Sequence, residues 1–300
     1  MPNAQARYAQ VSSKLSALGS KYFVHFDFQA QGIRIGKQAY PIVKMDWVEG
    51  DTLGVYLERN HSNAINLNAL RLSFATLAEY LERNSIAHGD IQNENIIVEQ
   101  SALRLIDYDG MFVPGLPEGQ GTEVGHKHFQ HPHRTTKLFG PKMDRFSFIV
   151  IDVSLQALQI DPSLHKRFRE GGNAIIFNAN DFAAPASSEI FRIIRAMPAL
   201  RDSATNLAAV CEGPISSIPT LAEFRDGKNI PAVKAPPLVG SPQKATPKPV
   251  YIGAFDVIDA KDFDAVLRRV GDKVELVGKT VSVKEGVGKR GRGRASHTFS

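Results

Sequence analysis

A chain of 300 residues, 43% of them hydrophobic, can hold one large domain or two modest ones around a real core. No run approaches the roughly 18 apolar residues that span a bilayer, and Met1-Pro-Asn-Ala-Gln-Ala lacks the basic-then-apolar order of a secretory signal, so a cytoplasmic protein with no membrane partner is expected. The net charge of +5 sits wholly in residues 279–300, where Lys279, Lys284, Lys289, Arg290, Arg292 and Arg294 face only Glu285, which argues against a general nucleic-acid affinity of the main body.

Residues 4–18 place Tyr8, Val11, Leu15 and Leu18 at helical spacing, with Gly19 as a stop. Two strand-like runs follow, Tyr22–Gln29 and Ala39–Val48, and Gly32-Ile-Arg-Ile-Gly36 can add a short strand between turns. The pattern turns helical over Leu53–Asn60 and Asn68–Asn84, where Leu70, Phe74, Leu77 and Leu81 share a face. Short strands are expected at Ile96–Glu99 and Leu103–Ile106, and further helices at 144–160, 163–169, 188–196 and 200–211. The lone Cys211 excludes an internal disulfide, fits a reducing compartment and is expected as a small buried hydrophobe.

Residues 229–250 carry Pro231, Pro236, Pro237, Pro242, Pro247 and Pro249 and are expected as a semi-extended linker. Beyond it, Lys273–Val277 and Thr280–Lys284 alternate as two strands around Gly278. They look like the opening of an OB-type barrel, which needs five strands to close. Lys289-Arg-Gly-Arg-Gly-Arg294 would then be a basic loop able to meet nucleic-acid phosphates, against the plainer expectation of a solvated terminus.

The densest chemistry lies in residues 88–110. Phosphoryl transfer needs a metal to neutralise phosphate charge and a carboxylate to orient or deprotonate the acceptor hydroxyl. Asp90 is expected in a loop after a helix, Asn95 can offer an amide oxygen, and Asp107 ends a strand facing the same cleft. Hard oxygen ligands of this kind suit Mg²⁺ and nucleotide phosphates.

His88-Gly-Asp-Ile-Gln-Asn-Glu-Asn95 resembles the catalytic loop of the protein-kinase superfamily, in the His-Gly-Asp form shared with small-molecule and atypical kinases. Leu105-Ile-Asp-Tyr-Asp-Gly110 resembles its Asp-Phe-Gly metal segment. Pro41-Ile-Val-Lys-Met-Asp-Trp-Val-Glu-Gly-Asp-Thr-Leu53 is similar to the strand, hinge and helix start of that family. Phe129-Gln-His-Pro-His133 stands where the activation segment closes, and Asp144-Arg-Phe-Ser-Phe148 resembles the opening of a buried helix. The ordered set spans residues 40–150, and the likeness to bacterial kinase-like domains with Asp-Tyr-Asp-Gly extends through residues 7–135.

The resemblance implies an α+β, bilobal kinase-like fold: a truncated small lobe at 1–46, a mainly helical large lobe at 47–228, the linker at 229–250 and a partial OB-like basic module at 251–300. It implies Asp90 as catalytic base and His88 as a brace of the catalytic loop. Asn95 and Asp107 become the metal ligands, with Asp109 as the alternative to Asp107. The choice favours Asp107 because it directly follows the apolar strand. Met45 becomes the gatekeeper, and Asp46, Trp47 and Val48 the adenine edge. Met45 and Trp47 are also expected in the core under any fold. The implied cofactors are ATP and Mg²⁺, and the acceptor is by default a protein Ser/Thr hydroxyl.

Three departures temper this. Gln92 replaces a lysine that touches the transferred phosphate, residues 4–18 contain no acid, and no glycine-rich loop or Val-Ala-x-Lys strand precedes the hinge. The small lobe is therefore expected to be truncated or to continue upstream. A pseudokinase scaffold and a nucleic-acid-associated adaptor are the alternative functions. His126, His128, His131 and His133 could suggest a metal cluster, but structural zinc usually draws on cysteines, so an ordered loop is the expectation.

Overall fold

The computed structural model describes residues 4–169, 173–232, 256–259, 269, 274–277, 284–285 and 297–298. The chain divides into two compact units, Met1–Lys234 and Ala235–Ser300. Among the described residues no helix is long and apolar enough to cross a membrane.

The first unit begins with α1 (Ala4–Leu18), which buries Val11 and Leu15. Next come β1 (Phe26–Ile35) and β2 (Gln38–Met45), paired antiparallel from Phe26↔Met45 to Ile35↔Gln38. The two separate pieces expected at 22–29 and 32–36 are replaced by one strand with a register shift between Gln29 and Ile33. Pro41 lies opposite that shift and has no N–H to give the ladder, so pairing skips and resumes at Ile33↔Tyr40.

A second sheet runs in the order β3 (Asp51–Thr52), β4 (Ile96–Glu99), β5 (Ala102–Leu105). Between its first two strands come α2 (Leu53–Asn60) and α3 (Ala64–Arg83). Thr52 caps α2 through Val55 N–H, and Asn63 caps α3 through Asn66 N–H. That cap starts α3 four residues earlier than its apolar spacing alone predicts. Its buried face is Leu67, Leu70, Phe74, Leu77, Ala78 and Leu81, the i, i+3, i+4 stripe of a helix packed on one side.

The packing partner of α3 is α4 (Arg145–Ile160), buried nearly all round from Phe146 to Leu158, as suits a central helix. Asp152 on α4 is fully buried and takes Arg71 of α3 at 2.9 Å and Arg225 of α9 at 2.5 Å, so one carboxylate ties three helices. The remaining helices are α5 (Ser163–Phe168), α6 (Ala179–Ala183), α7 (Glu189–Ala196), α8 (Arg201–Glu212) and α9 (Leu221–Arg225). The sequence reading missed α6 and α9, each too short for a full apolar period and each started by a capping box. Cys211 is buried on α8, and burial pushes its thiol pKa up.

In the second unit, β6 (Asp256–Asp259) pairs in parallel with β7 (Val274–Val277), and β8 (Lys284–Glu285) pairs antiparallel with β9 (His297–Thr298). The strand expected at 273–277 forms over Val274–Val277, with β6 as its parallel partner. Residues 280–283 and the basic run Lys289–Arg294 lie outside the described residues, as does most of the proline-rich stretch.

Candidate functional site

The hairpin β4–β5 builds the site. Its last pair is Ile96↔Leu105, and Ile106 N–H donates to Asn95 O at 3.1 Å, so Asn95 and Asp107 leave the hairpin at the same end. Leading into it, residues 86–95 form a loop that crosses the segment after Asp107, where Ala87 and Phe112 exchange backbone hydrogen bonds at 3.1 and 2.7 Å.

Two buried groups hold this loop. His88 is fully buried; its Nε2 lies 2.9 Å from Ile106 O and its Nδ1 accepts from Asp90 N–H at 3.3 Å, which puts the ring proton on Nε2. The imidazole therefore braces the loop against the strand that ends in Asp107. From below, the buried Asp144 carboxylate accepts the backbone N–H groups of His88 and of Gly89, the latter at 2.8 Å. Burial raises the Asp144 pKa, opposed by these two hydrogen bonds and by the Arg134 guanidinium.

Gly89 has φ +86°, and a Cβ there would stand 2.3 Å from Gly110 O. Only glycine lets the loop and the metal-segment candidate pass this closely. Gly125, at φ +81°, has the same role on the other side, since a Cβ would meet Gly89 O at 2.5 Å and Asp90 Oδ1 at 2.9 Å.

Asp90 is half-buried at the loop's turn. Its Oδ1 accepts from His126 N–H at 2.6 Å and its Oδ2 from the Asn95 amide at 2.9 Å. Because the Asn95 nitrogen is spent on Asp90, its Oδ1 is left with no hydrogen bond among the described residues. Asp107 is exposed, likewise without a hydrogen bond among them, and sits at φ +64°, a left-handed backbone uncommon outside glycine. Its neighbours hold it there. Tyr108 is buried with its hydroxyl 2.7 Å from Leu105 O and accepting Val24 N–H at 2.6 Å, and burial pushes the phenol pKa up.

Asp109 points to a different partner. Its carboxylate accepts from the Tyr8 hydroxyl, and its carbonyl from the Arg7 guanidinium, which also donates to Thr122 Oγ1 at 2.8 Å. Of the two carboxylates left open by the sequence, Asp109 is thus committed to α1 and Asp107 is uncommitted. Arg7 and Tyr8 were missed as site residues because a helical stripe identifies Tyr8 only as core. The available signal was the pairing of an acid-free first helix with an extra carboxylate in the metal segment. Glu123 was also missed. Its pKa is raised by partial burial first, then by Asp109, Asp107 and Asp90, so four carboxylates create a negative field at this end of the hairpin.

Among the described residues no group of three or more His, Cys, Asp or Glu side chains converges tightly enough to hold a metal ion. Two oxygen groups here make no hydrogen bond among the described residues, Asn95 Oδ1 and the Asp107 carboxylate, and oxygen is the donor type that hard cations take. Of the four histidine side chains, His128 and His131 are taken up by hydrogen bonds within the chain, while His126 Nδ1 is buried with no hydrogen-bond partner among the described residues. His126 holds Asp90 through its backbone, His128 Nδ1 accepts Ala179 N–H at 2.9 Å, and His131 binds Val210 O at 3.0 Å and His133 N–H at 3.2 Å. Burial lowers the His131 pKa, keeping that ring neutral.

The candidate adenine edge lies at the end of β2. Met45 is half-buried against the core, Asp46 N–H donates to His25 O at 3.0 Å, and Val48 is half-buried. Trp47 overturns the expectation of a core residue: it is 87% exposed, with its indole N–H donating to Glu49 at 3.1 Å. It lies two residues beyond Met45, the last residue of β2, where nothing among the described residues covers it. The segment continues into β3, whose pairing with β4 links it to the hairpin carrying Asn95.

No protein-family model matches the chain, and no curated protein matches it. Among solved structures, the kinase PK-1 of the Cydia pomonella granulovirus is similar, with a TM-score of 0.42 and 16% sequence identity over 73% of this chain and 77% of that one.

Proposed function

We propose that this chain is an ATP- and Mg²⁺-dependent phosphotransferase of the protein-kinase type, acting on a hydroxyl acceptor, by default a protein Ser or Thr. The observation that carries this reading is the joint placement of Asp90, Asn95 and Asp107: the first two share a hydrogen bond, and the third leaves the same hairpin end uncommitted. Asp90 orients the acceptor hydroxyl and takes its proton. Asn95 keeps Asp90 aimed while presenting its amide oxygen, and His88 and Asp144 hold the loop so that neither must reorganise. Asn95 Oδ1 and the Asp107 carboxylate would hold Mg²⁺, which would supply neutralisation of phosphate charge. Met45 to Val48 form the edge against which adenine rests.

The test is transfer of labelled γ-phosphate from ATP to a mixed protein acceptor. Asp90→Ala is expected to reduce transfer by roughly 10²-fold or more, while ATP binding persists. No transfer by the wild-type chain, alone or in its full natural context, would remove the phosphotransfer reading. A scaffold reading has one observation in its favour. The hairpin β1–β2 exposes Ile33 (48%), Ile35 (66%) and Tyr40 (38%), which the register places on one face as an apolar surface that a partner protein could cover.

A further inference from the structure

Residues 124–143 contain eight Lys, Arg or His side chains and no Asp or Glu. They run on from Glu123, the last carboxylate of the acidic end, and the first lysine, Lys127, stands four positions beyond it. Part of this stretch walls a cavity of about 630 Å³, lined among others by Gln130, Arg134, Lys137 and Lys142, with Glu118 as an acid on the lining. Gln130 connects the cavity to the catalytic loop, since its amide donates to Gly89 O at 3.3 Å, one residue before Asp90.

The cations here are incompletely satisfied. Lys137 and Lys142 are exposed and make no ion pair among the described residues. Arg134 spends its terminal nitrogens on the Leu138 carbonyl and the Met143 sulfur, and its Nε is buried without a partner. Asp144, whose charge acts on Arg134, is already committed to the His88 and Gly89 N–H groups, which leaves Glu118 as the acid on the lining. Arg145 also lines the cavity but is neutralised by Glu82 at 2.6 Å.

We infer that this cavity is an oxyanion subsite that selects an acidic polypeptide acceptor, one carrying carboxylate or phosphate side chains near its reacting hydroxyl. The inference rests on the phosphotransfer reading of Asp90 and names the acceptor class for it. A peptide fits better than a nucleic acid. Two free lysines around one cavity can meet one or two anionic side chains, whereas a phosphate backbone needs an extended basic track, and residues 1–278 balance at 30 basic and 30 acidic residues.

Binding is measured on the full chain without nucleotide, by fluorescence anisotropy. The probes are a Ser peptide flanked by Glu, the same peptide with one phosphoserine, a neutral Gln-flanked peptide and a charge-matched single-stranded oligonucleotide. Both acidic peptides are expected to bind at low salt and the neutral one at least about tenfold more weakly. Lys137→Glu with Lys142→Glu should weaken the acidic peptides about tenfold, while Lys137→Arg with Lys142→Arg preserves binding. The basic residues at 279–300 are identical in all these proteins, so the ratio between them reports the cavity alone. Whichever acidic peptide binds more tightly names the source of the oxyanion.

Acidic-peptide binding that ignores the charge reversal, or oligonucleotide binding of equal strength and equal sensitivity to it, overturns the inference. So does equal transfer to neutral and acidic peptides. A chain that binds acidic peptides through Lys137 and Lys142 yet transfers no phosphate keeps the subsite and loses the phosphotransfer reading, so the two failures are distinguishable.

Discussion

The loop that carries Asp90 and the hairpin that ends at Met45 are held in opposite ways. The loop rests on a helix buried on nearly all sides, with Asp144 gripping its backbone and His88 filling the space beneath. The hairpin β1–β2 has two strands and few buried residues, Phe26 being the one fully covered along β1. A two-stranded ribbon is marginal by itself, so its shape depends on α1 and on the anchor of Tyr108 to Val24. The proposed acceptor chemistry is thus built on rigid ground, and the proposed nucleotide edge on a ribbon that tolerates change.

The helical side should break hardest at its buried ion triad. Asp152→Ala leaves Arg71 and Arg225 without their shared carboxylate and is expected to lower the unfolding free energy by about 3–5 kcal/mol, read by urea denaturation. A loss under about 1 kcal/mol would mean that the three helices hold together without it.

A second probe of the same region is pH. Burial, then the stacked His61 at 4.6 Å, lowers the His165 pKa from 6.5 to about 4. The fold therefore favours the neutral ring, and its contribution is complete above pH 6.5. As pH falls from 6.5 toward 4, the unfolded chain takes up a proton that the fold resists, and stability declines. Between pH 7 and 5 the loss is expected at about 1–2 kcal/mol. His165→Leu should flatten that part of the pH profile; an unchanged slope would place the sensitivity in another group.

On the hairpin side the expected effect is smallest. Trp47→Ala should change stability by less than about 0.5 kcal/mol, because the side chain is nearly all in solvent. ATP binding, measured by calorimetry, should nonetheless weaken several-fold. A large stability loss with unchanged nucleotide binding would reverse the contrast between the two regions.

Local patterns carried far in this chain. Ile96–Glu99 and Leu53–Asn60 form where their composition and apolar spacing place them, and α4 starts one residue after its expected position. Those elements are decided within a few residues, by β-branched runs, caps and a 3.6-residue stripe. The contacts of Arg7 and Tyr8 with Asp109 join residues more than 100 positions apart, and no local period encodes them. Pro41 was visible in the sequence, yet its effect on register depends on which residue lies across from it.

By itself, then, the sequence determined the order of the longer helices in the first unit and the grouping of Asp90, Asn95 and Asp107 around one short hairpin, because those residues are close along the chain and their strands are locally specified. Tertiary structure alone decided that Asp109 turns to α1 while Asp107 stays uncommitted, that Glu123 joins the acidic end, and that Trp47 lies in solvent. Each of those outcomes depends on a partner, or on the lack of one, supplied by a distant part of the chain, and burial and charge are properties of that assembled neighbourhood.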